Sequence, residues 1–366
     1  MAVQYKHQWA LGLLAAASLS LPVQAKHASL PDTKIAHGLT NPPAIAQKTA
    51  EESHPAHGEA KAQADNAEKS QSTESPEEHA AQAAAQGVAP HALTVDGLQR
   101  EYFVHVPHNL NSSKPSPLVL CFHGGGGNAM KNNKLSHFNA TADEHGFIVV
   151  YPQGIDKHWN DGRQIKGEDH DDIAFVNALL EQLFKEHNID KSRIYCIGIS
   201  NGGFFSQFIA LQMPERIAAV ASIAASMSDQ MFHMKKPAVA VPVMFILGDQ
   251  DPIVKYEGGD IKIMGIKRGK SVPAEDAVQW WLDADGCSGK PVVTKLPDLS
   301  ESDGTRVERA EYESCKDGSE VVLLTVQGGG HTWPSGMQYL PEPMIGRVSR
   351  DINNEIIWDF LQKHRR

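Results

Sequence analysis

The amino-acid sequence predicts an α/β fold built on one mostly parallel, doubly wound sheet. Two observations point there. Between about residue 93 and residue 366, continuous apolar runs of strand length alternate with stretches of helical period. Strands that are apolar throughout must be covered on both faces, and helices between parallel strands do that. The polar residues with the most evident chemistry also fall just past the ends of these runs, where open parallel sheets hold ligands.

Three regions precede or make up this fold. Residues 1–25 read as an export signal: Lys6 and His7 precede the run WALGLLAAASLSL, and Val23, Gln24 and Ala25 offer small residues where a signal peptidase cuts. That run is shorter than the roughly 20 residues a membrane span needs. Residues 26–92 lack Phe, Trp, Tyr and Cys and are rich in Ala, Glu, Gln, His, Ser and Lys. Such a segment buries too little apolar surface to offset its ordering entropy, so a disordered polar linker is expected. Residues 93–366 are long enough for one well-buried domain.

Within that domain REYFVHVP (100–107) alternates in period two and suits an edge strand. PLVLCFHGGGGN (117–128) reads as a continuous apolar strand running into a glycine loop, and GFIVVYPQG (146–154) as another. Asp171 to His187 sets Ile173, Val176, Leu180, Leu183 and Phe184 at helical spacing. Strand-like runs follow at 194–199, 218–225, 241–251 and 320–331, with a helix through Trp280 and Trp281 and a last one through Ile352, Ile356, Ile357 and Phe360.

The strand 194–199 runs into Gly198-Ile199-Ser200-Asn201-Gly202, with a helix-like segment behind it. By itself G-x-S-x-G is a common turn. Between a strand and a helix it fits a sharp elbow that lifts a serine hydroxyl clear of the chain, with glycine required where the backbone passes itself. The amide of Asn201, at the start of the helix, would then face a developing oxyanion. Such a serine needs a base, and the base an orienting acid, in the chain order Ser, acid, His. His331 and His364 follow the candidate acids. His331 ends the last apolar strand, whereas His364 stands in the terminal KHRR and reads as solvated. Asp249 and Asp251 both lie just past a strand end, and spacing prefers neither. HGGGGN (123–128) supplies bare amides for a second oxyanion donor. GGGGNA (124–129) also satisfies a loose dinucleotide fingerprint, but two strand candidates precede it where that motif belongs on the first.

Taken together, HGGGGN, YPQG…WNDGR, DDIAF, IGISNGG, GDQDPIVKYEGG, DGCSG and GGGHTWPSG resemble the poly(3-hydroxybutyrate) depolymerase-like and feruloyl/acetylxylan esterase group of secreted α/β-hydrolases. The resemblance runs from about residue 93 to the C-terminus. It implies an α/β-hydrolase catalytic domain, with Ser200 as nucleophile, Asp251 as acid, His331 as base, and Gly125 and Asn201 as oxyanion-hole amides. Trp159 and Trp333 would be substrate-binding pocket walls in the family, although aromatics beside such loops serve equally as core. Asp172, heading a helix, reads as a cap or a structural partner. Lys255 stands where the family has Pro, and LGDQD departs from HGTxD.

Four cysteines allow three pairings. Cys121 and Cys196 sit in apolar strands, while Cys287 and Cys315 lie in polar surroundings of an exported chain, which favours their disulfide; the resemblance implies the same pair. The formal charge is −10; setting aside Lys6 and the linker's five Lys against nine acids leaves −7 on the domain. Nucleic acid and anionic membrane surfaces are therefore poor partners. The expectation is a secreted or periplasmic serine esterase acting on small or oligomeric esters, needing no metal or organic cofactor. A peptidase or acyltransferase on the same fold, or an inactive binding module, is the alternative.

Overall fold

A computed structural model describes residues 76–165, 167 and 170–366. The export signal and residues 26–75 of the linker lie outside the described residues. In chain order the described strands are β1 (Ala89–Val95), β2 (Leu98–His105), β3 (Ser116–Phe122), β4 (Ile148–Pro152), β5 (Ile189–Ile199), β6 (Ala219–Ile223), β7 (Met227–Ser228), β8 (Val243–Gly248), β9 (Gly259–Ile263), β10 (Ile266–Val272), β11 (Val292–Lys295), β12 (Arg306–Tyr312) and β13 (Val321–Gln327). The α-helices are α1 (Pro76–Ala85), α2 (Ala129–Ser136), α3 (Phe138–His145), α4 (Asp172–Glu186), α5 (Asn201–Gln212), α6 (Asp229–Phe232), α7 (Ala274–Ala284), α8 (Glu342–Ile345) and α9 (Asn354–Leu361).

Ten strands form one sheet in the order β1-β2-β4-β3-β5-β6-β8-β13-β12-β11. The run from β4 to β13 is parallel, and antiparallel strands close both edges. The parallel run is the apolar set of the sequence. Period two sorts its side chains: Leu118, Leu120 and Phe122 of β3 join the core under α4, α5 and α7, while Val119 and Cys121 join the opposite core with α2, α3 and α9. Helix α4 starts where Asp171 accepts from the Ala174 amide (2.8 Å), and it buries Val176, Leu180 and Leu183 as its spacing predicts. From β3 the chain crosses to β4 on one side and later to β5 on the other. The loop after β3 and the turn after β5 therefore face each other across the crevice where such sheets bind ligands.

The structure departs from the sequence reading in three places. The strand in REYFVHVP is covered, because β1 pairs outside it from Ala89↔Val104 to Val95↔Leu98. Ordered structure accordingly begins before residue 93. Helix α1 buries Ala83, Val88 is buried, and His105 meets the Gly87 carbonyl at 2.6 Å and Asp143 at 2.8 Å. The local composition of 76–92 could not reveal this, since its ordering comes from pairing with β2 rather than from its own apolar content. Third, His364 is buried: its Nε2 lies 2.9 Å from Glu320, and its carbonyl accepts from the Tyr195 hydroxyl at 2.9 Å. Acceptors distant in sequence hold the basic terminus, with Arg366 donating to Ile217 (2.6 Å) and Ala240 (2.7 Å).

A small sheet, β7-β10-β9, stands apart from the main one. Cys287 and Cys315 form the disulfide, and Cys121 and Cys196 are buried thiols. Among the described residues no helix is long and apolar enough to cross a membrane.

A chain starting at residue 93 would lose Val88, Ala83 and half of β1. It should melt roughly 5–10 °C below one starting at residue 76, given about 2–3 kcal/mol for the lost burial. Equal melting temperatures in scanning calorimetry would show that β1 and α1 contribute nothing.

Candidate active site

Ser200 leaves β5 with φ 57° and ψ −122° and caps α5 without a side-chain capping bond. A non-glycine residue is uncommon at positive φ, and the neighbours must hold it there. Its amide donates to the Ile223 carbonyl of β6 (2.8 Å) and its carbonyl accepts from Phe204 (3.0 Å). A β-carbon on Gly198 would run into the Gly202 carbonyl, and one on Gly202 into the Phe122 carbonyl. The elbow is thus pressed against β3, and only glycine fits at both positions.

The acid and the histidine meet at the ends of neighbouring strands. His331 Nδ1 lies 2.7 Å from Asp251 Oδ2, with both side chains almost fully buried. Asp251 Oδ1 accepts the amides of Ile253 (2.8 Å) and Val254 (2.9 Å), so the carboxylate is fixed and acts as acceptor. The ring therefore carries its hydrogen on Nδ1, which in the neutral form leaves Nε2 with its lone pair. Asp249 does something else: its Oδ1 accepts the Gly328 amide (2.7 Å) and shapes the glycine loop. Of the two acids that sequence left level, Asp251 touches the histidine. Tyr339, which sequence reasoning missed, donates its hydroxyl to the His331 carbonyl at 2.8 Å. Burial first, and Asp251 second, push its phenol pKa up.

The HGGGGN loop packs its backbone on the elbow. A β-carbon on Gly124 would lie 3.4 Å from that of Ser200, and one on Gly125 would lie 3.6 Å from that of Asn201 and 3.0 Å from the His158 ring. The loop's own bonds use other amides, Gly126 to Lys157 (2.9 Å) and Gly127 to Gly124 (3.0 Å). Asn201, the first residue of α5, has an amide that helix geometry leaves without an intrahelical partner. His123 sets the loop. Its Nε2 accepts from the Gly154 amide (3.0 Å), and its Nδ1 donates to the Gly124 carbonyl (2.8 Å). Burial lowers its pKa to about 4, keeping it neutral.

The two tryptophans read as pocket walls are fully buried and present no surface to a substrate. Trp159 stacks on Phe205 and donates Nε1–H to the His123 carbonyl (3.0 Å). Trp333 packs on Phe138 and donates to Asn354 (3.0 Å). Both are core, Trp159 in the cluster under α4, α5 and α7 and Trp333 in the one opposite. Asp172 is the structural partner the sequence allowed: it pairs with buried Arg100 (2.5 Å) and accepts from the Asn160 amide (2.7 Å). Burial raises its pKa, against the pull of Arg100. Among the described residues, groups able to hold a metal occur at Glu144, His145 and Glu355 and at Glu311, Glu313 and Glu320. Neither includes a residue of the strand-end cluster.

A family pattern now bears on this geometry. Residues 101–259 match the family described as esterase PHB depolymerase. The chain is a carboxylic-ester hydrolase, and these residues are similar to that family. The esterase shares 28% identity over 280 residues with a protein of Nocardia uniformis subsp. tsuyamanensis named as an esterase, NocK, covering 74% of this chain and 81% of that one. With feruloyl esterase B of Piromyces equi it shares 29% over 243 residues, covering 65% of this chain but only 43% of the relative. The acetyl xylan esterase from Aspergillus awamori superposes with a TM-score of 0.51 at 13% identity, over 75% of this chain and 99% of the other. That likeness shows the α/β-hydrolase fold.

The neutral state of His123 has a thermodynamic signature. Its pKa is near 6.5 unfolded and about 4 folded. Its contribution is thus whole above pH 6.5 and is lost as pH falls from 6.5 towards 4, by up to about 3 kcal/mol. Asp285, raised to about 6 by burial, acts in the opposite direction, so the comparison must be made against a variant. Denaturant unfolding at pH 7 and pH 5 should show a smaller acid loss for His123→Asn than for the unsubstituted chain. Equal losses would exclude His123 as the source.

Proposed function

We propose that the esterase works through a covalent acyl-serine, with Ser200 as nucleophile, His331 as base and Asp251 as acid. His331 Nε2 takes the proton of Ser200 Oγ as that oxygen attacks the ester carbonyl. Asp251 holds the ring through Nδ1 and stabilises the imidazolium. The amides of Gly125 and Asn201 receive the oxyanion. His331 then protonates the departing alkoxide, and a water deprotonated by the same nitrogen releases the acid and frees Ser200. The observation that carries this reading is the buried 2.7 Å bond between His331 and Asp251, at strand ends that share one sheet edge with the strained Ser200 elbow.

The substrate class we propose is a soluble ester or oligomer, with hydroxyalkanoate, hydroxycinnamoyl or acetyl as the acyl group. The family description and the names of the feruloyl and acetylxylan relatives support that range. Export through residues 1–25 to the periplasm or medium belongs to the same proposal, as does a mature enzyme that works free of membrane and nucleic acid.

Ser200→Ala should abolish turnover of p-nitrophenyl acetate and labelling by a fluorophosphonate while leaving the melting temperature unchanged. Retained burst kinetics in that variant would overturn the assignment. Asp251→Asn should cut kcat by on the order of 10⁴-fold, because the wrong tautomer is then favoured. Asp249→Asn should cost far less. If Asp249→Asn proves the deadlier change, the acid is misassigned.

A further inference from the structure

We propose that Asp161 is a positioning residue of the oxyanion hole, acting through the side chain of Asn201. The inference rests on the reading of the Asn201 amide as an oxyanion donor. Asn201 is buried, and its carboxamide is saturated. Oδ1 accepts the Trp159 amide (2.8 Å), while Nδ2 donates to the Trp159 carbonyl (3.0 Å) and to Asp161 Oδ2 (2.7 Å). An asparagine amide has two N–H groups, and both are spent here. The carboxamide plane cannot turn without breaking a buried bond, and through the rigid Cα its setting restrains the main chain at residue 201. That main chain carries the N–H aimed at the oxyanion.

Asp161 is itself immobilised. Arg163 Nε lies 2.9 Å from both of its oxygens, and Nη2 lies 2.7 Å from Oδ2. The guanidinium sits over the Phe204 ring of α5, 4.7 Å from its centroid, and Nη1 donates to the Arg268 carbonyl of β10 (2.8 Å). One strap, residues 159–163, therefore ties the start of α5 to β10.

The pairing with Arg163 has an electrostatic reason. A lone carboxylate in contact with the residue that binds the oxyanion would oppose the negative charge that develops there. Arg163 cancels that charge and leaves Asp161 as a fixed acceptor. A buried ion pair adds little to stability on balance, so stability alone does not account for this one. Its place beside the nucleophile elbow agrees with a role in geometry.

The test compares three variants. Asn201→Ala keeps the main-chain amide and removes the clamp. Asp161→Leu with Arg163→Gln removes both buried charges and the acceptor, whereas Asp161→Asn with Arg163→Gln removes the charges but leaves an oxygen for Asn201 to donate to. For Asn201→Ala, kcat should fall on the order of 10²-fold, the scale of losing one oxyanion donor, with KM nearly unchanged. Binding of a boronic acid, which places an anionic oxygen in the hole, should weaken in parallel. The fraction of chains titrated at Ser200 by a fluorophosphonate should stay the same, and the acid limb of the pH profile should not move. Asp161→Leu with Arg163→Gln should lower kcat by about tenfold or more with KM nearly unchanged, and Asp161→Asn with Arg163→Gln should recover part of that loss.

Full kcat in Asn201→Ala overturns the proposal. So does a fall in activity matched by an equal fall in titratable serine, which would mean the clamp only holds the fold. Full kcat in Asp161→Leu with Arg163→Gln overturns it as well, and so does an Asp161→Asn pair no more active than the Leu pair, since the acceptor would then play no part. Failure of the fluorophosphonate to label Ser200 in the unsubstituted chain defeats the underlying mechanism instead, so the two failures are distinguishable.

Discussion

Everything at this site depends on one backbone constraint, the conformation of Ser200 at φ 57° and ψ −122°. Such a residue costs on the order of 1–3 kcal/mol and persists only where its surroundings over-determine it. Here they do. The Ser200 amide is bound to β6, the start of α5 lies against the carbonyls at the end of β3, and the glycines on either side remove the β-carbons that would forbid the crossing. The sheet supplies the force: β3, β5 and β6 are buried parallel neighbours, and the turn cannot relax without unpairing them.

The glycine loop after β3 inherits its position from the same crossing. It would be mobile as a bare run of glycines, since glycine gives up the most conformational freedom on ordering. His123 supplies the restraint. As a neutral ring it can accept from Gly154 and donate to Gly124 at once, a division of roles that a protonated imidazole could not keep. Its burial is thus part of how the loop is set, not an accident of packing.

Charge is handled in the same way around the crevice. Asp172 with Arg100 and Asp161 with Arg163 are buried acids that each bind a backbone amide or side-chain amide as well as a cation. Asp251 takes two amides and the histidine. No carboxylate among these three depends on one partner, which suits groups withdrawn from water beside a reaction that develops charge.

The sequence by itself determined the elements whose cause is local. A run such as VPVMFIL, of strand length and ending at turn residues, reads as a doubly covered strand, and a serine between spaced glycines at a strand's end fits a tight turn, so β3, β5, β8, β13 and the elbow were legible. The pair Cys287 and Cys315 was legible from its polar setting, and the family resemblance reached Asp251 by its motif. What depended on distant partners was not legible. Asp249 and Asp251 stand two residues apart in the same turn, and only the arrival of β13 beside β8 decides which one meets His331. Trp159 and Trp333 flank the loops in sequence, yet tertiary packing turns both rings into the core. Residues 76–92 look like linker until β2 offers an open edge, and His364 looks solvated until Glu320 and Tyr195 come within reach. A side chain's chemistry is written in its own residue, but its partner is chosen by which strands lie next to each other, and that choice is made by the whole fold.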